Sequence, residues 1–180
     1  MSCEEDEMGK IIFFEEKAFC GRHYECSGDC PDLMSFLTQC GSIRVTSGCF
    51  MIYERPNYTG HQYCLRSGEY ADVHSMGPAG TVSSCRFIPV EQGCFNMRLY
   101  ERIEFGGQIM NLEDDCPSVL DRFHIKDIFS CNVTDGNWLF YEDTNYCGRM
   151  YLIQPGEYKR FSEWGSRSAR VGSIQRITND

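Results

Sequence analysis

The chain has 180 residues, a formal charge of −9 at pH 7, 42% hydrophobic and 24% charged residues. This balance supplies enough apolar mass for one domain or two of roughly 90 residues. It excludes general disorder and argues against a nucleic-acid partner, because an acidic surface repels phosphate. Apolar runs such as Ile11-Ile12-Phe13-Phe14 fall far short of the about 20 residues of a membrane-spanning helix, so no membrane association is expected.

The chain starts with an acidic stretch, Cys3-Glu4-Glu5-Asp6-Glu7. Residues 1–8 therefore read as a solvated, flexible arm without the apolar segment of an export signal. With a reducing compartment expected, the 12 cysteines read mostly as free thiols acting as small hydrophobes. The densest group, Cys20, Cys26 and Cys30 around His23, has no CxxC pair and so lacks zinc-site spacing. Neither a metal nor any other cofactor is expected. Cys3 on the arm and the Cys20–Cys26–Cys30 group are the expected redox-sensitive thiols, modified before Cys131.

From Lys10 onward the pattern is that of strands. Ile11 and Phe13 alternate with Ile12 and Phe14, and Ser42-Ile43-Arg44-Val45 alternates likewise, the period of a half-buried strand. Four segments then share an aromatic residue followed by Glu, a second aromatic five positions after the first, and a Gly two positions later. They start at Phe14 (Phe19, Gly21), Tyr53 (Tyr58, Gly60), Tyr100 (Phe105, Gly107) and Tyr141 (Tyr146, Gly148). A Ser follows each Gly after 21 to 25 residues: Ser42, Ser84, Ser130 and Ser173. The first and third leading aromatics are 86 residues apart and the second and fourth 88, so a pair of motifs is itself repeated.

Secondary matches keep this register. Cys30-Pro31-Asp32-Leu33 corresponds to Cys116-Pro117-Ser118-Val119, and Gly68-Glu69-Tyr70 to Gly156-Glu157-Tyr158. The joint falls at Pro89-Val90-Glu91-Gln92-Gly93. The expectation is an all-β chain with an arm over 1–8, a first domain over 9–88, a linker over 89–93 and a second domain over 94–180. Each domain is a sandwich of two motifs. Helix is expected only in turns such as Pro31 to Leu37 and Pro117 to Phe123, where Pro suits a first helical position. The repeated Gly should take a positive φ in a tight hairpin. The repeated Ser should satisfy backbone groups of the fold-over, and Tyr70 and Tyr158 should tie down a loop through their phenol hydroxyls.

Aromatic, four residues, aromatic, one residue, Gly, then a distant Ser resembles the βγ-crystallin Greek-key motif. The doubled arrangement is similar to that of the vertebrate lens gamma-crystallins, including the S-type and fish branches, and the likeness runs from Gly9 to about Ile177. It is carried also by Tyr24-Glu25-Cys26, Tyr53-Glu54-Arg55-Pro56-Asn57-Tyr58 and Trp164-Gly165. The resemblance implies two wedge-shaped domains of Greek-key sheets paired through a small apolar patch. Met51, Cys64 and Ile88 would face Leu139, Leu152 and Ile177, with Gln62 and Met150 flanking. Two departures stand out. Cys64 replaces a larger apolar residue, and both tryptophans, Trp138 and Trp164, fall in the second domain, with Phe50 at the position matching Trp138.

The resemblance implies a structural protein of the lens-fibre cytoplasm: monomeric, long-lived, refracting light without scattering it, and touching other crystallins by weak short-range contacts. The 24 aromatics, 12 Cys and 8 Met fit high polarisability, and the net charge fits solubility. A calcium-binding βγ-domain is the alternative. It requires two consecutive Asn/Asp, two further residues, then Ser/Thr-Ser, to give Ca²⁺ its oxygen shell. The windows Leu37–Ser42, Ala79–Ser84, Ile125–Ser130 and Ser168–Ser173 each lack the leading pair, and only Asp127 supplies a carboxylate in the third. Catalysis is not expected. His23, His61, His74 and His124 stand in no nucleophile-elbow or HExxH context.

Overall fold

The computed structural model describes residues 9–76, 81–90 and 93–178. The arm with Cys3, together with Glu91 and Gln92 of the linker, lies outside the described residues. The chain divides into two compact units, with the division between Pro89 and Val90.

In the first unit β1 (Lys10–Phe14), β2 (His23–Cys26) and β3 (Ser42–Ser47) belong to the first motif. The second motif supplies β4 (Cys49–Arg55), β5 (Thr59–Leu65), β6 (Gly68–Tyr70) and β7 (Ser84–Ile88). One sheet has the order β2-β1-β3-β6. In the other, β4 lies between β5 and β7, and β7 is bridged on its far side by Cys30. Each motif thus lends its third extended segment to the other motif's sheet, which is the Greek-key exchange. All pairings are antiparallel.

The second unit repeats the scheme. Its strands are β8 (Asn96–Tyr100), β9 (Ile109–Leu112), β10 (Ser130–Asp135), β11 (Trp138–Asp143), β12 (Cys147–Ile153), β13 (Gly156–Tyr158) and β14 (Ser173–Arg176). One sheet has the order β9-β8-β10-β13. In the other, β11 lies between β12 and β14, and β14 is bridged by Cys116. Cys30 and Cys116, matched in the sequence, are therefore the same structural residue: the bridge that carries a third segment across to the opposite sheet.

Helix is confined to turns. At Leu33–Ser35 the Asp32 carboxylate accepts from the Met34 N–H at 3.1 Å. The α-helix α1 (Val119–Phe123) starts with the Ser118 hydroxyl accepting from the Asp121 N–H at 3.2 Å and stops at His124, whose φ is 61°. These are the two turns expected at Pro31 and Pro117, but each Pro stands one residue before the N-cap, Asp32 or Ser118, and not at the first helical position. Further 3₁₀ turns at Lys17–Phe19, Val73–Met76, Ile103–Phe105 and Phe161–Trp164 carry no Pro or helical periodicity. They arise from fold-over geometry, which is a tertiary matter.

Strand alternation builds each core. In β1 Ile11 and Phe13 are fully buried, and in β4 Phe50 and Ile52 join them with Leu33, Ile43, Val45 and Val73. In the second unit Met97, Leu99, Leu112, Val119, Ile128, Trp138, Phe140 and Trp164 fill the same space. Each such side chain contributes about 1.5–3 kcal/mol on leaving water.

Candidate functional site

The repeated aromatic, glycine and serine residues meet at four equivalent nodes. The chain turns at each node through two consecutive left-handed residues, neither of them Gly: Ala18 and Phe19 (φ 55° and 61°), Asn57 and Tyr58 (59° and 62°), Glu104 and Phe105 (54° and 62°), Asn145 and Tyr146 (57° and 58°). The motif glycines follow at φ 83°, 82°, 76° and 82°, as expected for a residue without a Cβ. The pair before them was not foreseen. Each non-Gly left-handed residue costs roughly 1–2 kcal/mol, so the node must offset about twice that.

Three hydrogen bonds do so. The motif serine donates to a carbonyl before the turn: Ser42 Oγ to Glu16 O at 2.6 Å, Ser84 Oγ to Arg55 O at 2.7 Å, Ser130 Oγ to Arg102 O at 2.6 Å and Ser173 Oγ to Asp143 O at 2.6 Å. The same oxygen accepts from the N–H of the second left-handed residue, Phe19, Tyr58, Phe105 or Tyr146, at 2.9 to 3.1 Å. The first left-handed residue donates its N–H to the other motif of its unit: Ala18 to Ala71 O, Asn57 to Pro31 O, Glu104 to Lys159 O and Asn145 to Pro117 O, at 2.7 to 2.9 Å. All four serines are fully buried, and a hydroxyl that both donates and accepts leaves no unsatisfied group.

Above each node the two aromatics pack edge to face. The ring centroids are 5.7 Å apart for Phe14–Phe19, 5.6 Å for Tyr53–Tyr58, 5.3 Å for Tyr100–Phe105 and 5.8 Å for Tyr141–Tyr146, a favoured geometry for ring quadrupoles. Gly41 and Gly172, each just before a motif serine, fill a role the sequence did not flag. A Cβ would lie 2.6 Å from Glu16 C and 2.4 Å from Asp143 C. Both tyrosine corners form: the Tyr70 hydroxyl donates to Arg66 O at 2.8 Å, and the Tyr158 hydroxyl accepts from the Gln154 N–H at 3.0 Å.

The calcium windows border clefts in which part of the charge is paired. In the second unit Lys126, Asp127, Glu142, Asp143 and Arg170 line an open cleft. Arg170 Nη2 lies 2.8 Å from Asp143 Oδ1, and the Asp127 and Arg170 backbones form a bridge. In the first unit Glu15, Glu16, Lys17 and His74 line the counterpart. There Glu15 accepts from Arg22 at 2.9 and 3.1 Å and from the Thr38 N–H and hydroxyl at 3.2 Å. The Arg22 contact, then the Thr38 N–H, hold the Glu15 carboxyl below its ordinary value. Among the described residues no three His, Cys, Asp or Glu side chains are grouped to hold a metal. Of the histidines, His61 pairs with Glu54 at 3.0 Å on the surface, His23 packs on the Phe14 ring, and His124 ends α1.

Thiol placement differs from the sequence grouping. Cys20 is exposed and points its thiol at its own turn, Ala18 O, at 3.4 Å. Cys26 and Cys30 are buried in the core, where Cys85 joins them. Contact with Cys26, then burial, pushes the Cys85 thiol up. Burial also pushes Cys40 up to about 12 and raises Cys131.

The residues expected at a domain patch share one position in each unit. Core residues Phe50 and Ile52 alternate with Met51, which faces away from the core and pairs in register with Cys64; Ile88 pairs with Cys49. Likewise Trp138 and Phe140 alternate with Leu139, which pairs with Leu152; Ile177 follows β14 and donates its N–H to Asn137 O at 2.9 Å. Gln62 and Met150 pair with Tyr53 and Tyr141 at the same register.

Four nodes of this kind on two Greek-key units are matched by a family model described as Beta/Gamma crystallin, over residues 10–88 and 96–177. The chain belongs to the beta/gamma crystallin family. Gamma-crystallin M2 of Chiloscyllium indicum is 54% identical over 94% of this chain and 97% of its own length. Gamma-crystallin B of Homo sapiens is 54% identical over 94% and 98%, and gamma-crystallin S-1 of Chiloscyllium indicum 55% over 94% and 99%. The three types lie within one percentage point of each other in identity to this beta/gamma crystallin.

Proposed function

We infer that this protein is a structural constituent of the eye lens, a concentrated, long-lived refractive protein whose task is transparency and not turnover of a substrate. The observation that carries this reading is the end-to-end likeness to gamma-crystallins, 53 to 55% identical over 94% of the chain. The fourfold node supports it. Strained turns held by buried serines and by reciprocal bonds between motifs open only when the unit opens, which suits a protein that relies on a slow unfolding rate. The protein works as a monomer in the lens-fibre cytoplasm and meets other crystallins through weak short-range contacts, its charge of −9 keeping it dispersed. The deciding measurement is abundance: the protein dominates lens fibre cells and its concentrated solution scatters little light. Absence from the lens would overturn the reading.

The alternative calcium role is disfavoured because Asp127 is the only carboxylate in the four windows, too few for the oxygen shell of Ca²⁺. Titration calorimetry should give no micromolar calcium binding.

A further inference from the structure

The outer face of the β4–β5 hairpin holds two thiols that the nodes do not use. Cys49 opens β4 and Cys64 lies near the end of β5. Since Met51 pairs with Cys64, alternation makes Cys49 the diagonal neighbour of Cys64 on the same face. Their Sγ atoms are 3.3 Å apart. Both are free thiols, Cys49 buried and Cys64 partly exposed. The sulfurs must approach by about 1.3 Å to reach bonding distance, and since diagonal neighbours stand about 7–8 Å apart, closing the bond draws the two strands together locally.

We propose that Cys49 and Cys64 form a reversible disulfide, a two-electron redox site on the first unit that exchanges with low-molecular-weight disulfides such as oxidised glutathione. The proposal stands apart from the lens role. In the first step Cys64, the more exposed of the two, attacks a sulfur of the small disulfide as its proton passes to solvent. Contact with Cys49, and then burial, push the Cys64 thiol up, which makes this the slow step. A mixed disulfide forms and one small thiolate leaves. In the second step the Cys49 thiolate attacks Cys64 Sγ, and the second small thiolate leaves. One protein S–S bond replaces the S–S bond of the oxidant, the two cysteines are oxidised, and two small thiols take up the two protons. Contact with Cys64, and then the charge of Arg66, hold the Cys49 thiol below its ordinary value against the effect of burial. Cys49 is therefore suited to the second step.

The experiment uses the full chain in glutathione buffers of increasing oxidised fraction, quenched by alkylation. Cleavage after Arg44, Glu54 and Arg66 leaves Cys49 and Cys64 as the sole cysteines of their peptides, so the two peptides stay joined only through this disulfide. The joined peptide is expected to rise with oxidised glutathione, to vanish on reduction with dithiothreitol, and to be lost completely in Cys64→Ser. It should form in native protein at an oxidant-to-thiol ratio about tenfold lower than in urea, because the strands hold the sulfurs in place. If Cys64→Ser does not fold by circular dichroism, Cys64→Val preserves apolar volume and serves the same purpose. Alkylation or glutathionylation of the two thiols separately, while Cys20 and Cys147 are being oxidised, would overturn the proposal. So would equal formation in native and unfolded protein.

Discussion

The two units share one topology and fill it with different chemistry. The second core packs Trp138 against Phe95 at 5.6 Å and Trp164 against Phe140 at 5.2 Å, both nearly perpendicular. The first core has Phe50 in the place of Trp138, set against Phe87 at 5.4 Å, and has no Trp. It includes four cysteines, Cys26, Cys30, Cys40 and Cys85, where the second includes Cys116 and Cys131. Large rings fill volume with stiff surfaces in the second unit, whereas small polarisable thiols fill it in the first. The fold tolerates both because the nodes, not the identity of core side chains, set the path of the backbone.

The largest effect should come from breaking the aromatic core. Trp138→Ala is expected to destabilise the second unit by about 3–5 kcal/mol, seen in urea unfolding. Because both tryptophans lie in that unit, their fluorescence reports its transition alone, whereas circular dichroism reports both. The two curves should separate further in the variant, since the first unit keeps its midpoint. Phe50→Trp, which makes the first core resemble the second, should instead cost about 1–3 kcal/mol by overpacking. A stabilising result would show that the sulfur-rich core holds unused space.

Next come the nodes, where the units should behave alike. Ser42→Ala and Ser130→Ala each leave a buried N–H and a buried carbonyl without their shared partner, at a cost of about 1–3 kcal/mol. A loss in one unit and none in the other, followed by thermal unfolding, would break the equivalence.

The smallest effect is electrostatic and belongs to the first unit. The folded Glu15 carboxyl titrates below its ordinary value because Arg22 pairs with it. Its contribution to stability is thus present above the unfolded value and lost as pH falls through the folded one. In Arg22→Ala the Glu15 carboxyl resonance should titrate at higher pH than in the parent protein, and the acid limb of stability should move with it. The pair is exposed, so the shift should shrink in salt.

Much of this was legible in the chain because the repeat fixes which residues are equivalent. The aromatics, glycines and serines of the nodes, the two Pro turns and the tyrosine corners all carry residue-type signals with local causes. The left-handed residues ahead of each motif glycine were not legible. They are Ala18, Asn57, Glu104 and Asn145, followed by an aromatic, and a type that varies so widely gives no signal. Their conformation is dictated by the serine and by a carbonyl of the other motif. The thiols show the same limit. Cys20, Cys26 and Cys30 are close in sequence, yet Cys26 and Cys30 share a core with Cys85 while Cys20 faces water. Strand register likewise brings Cys49 to Cys64 across 15 residues.

The sequence by itself determined the all-β class, the two-by-two repeat and the alternation that separates core from surface, because hydrophobic period and turn chemistry act over a few residues. Only the tertiary structure decided which backbone groups close each node, which ion pairs form in the clefts and which thiols meet. Those outcomes depend on motifs exchanging segments and on strand register, which bring together residues that no local spacing relates.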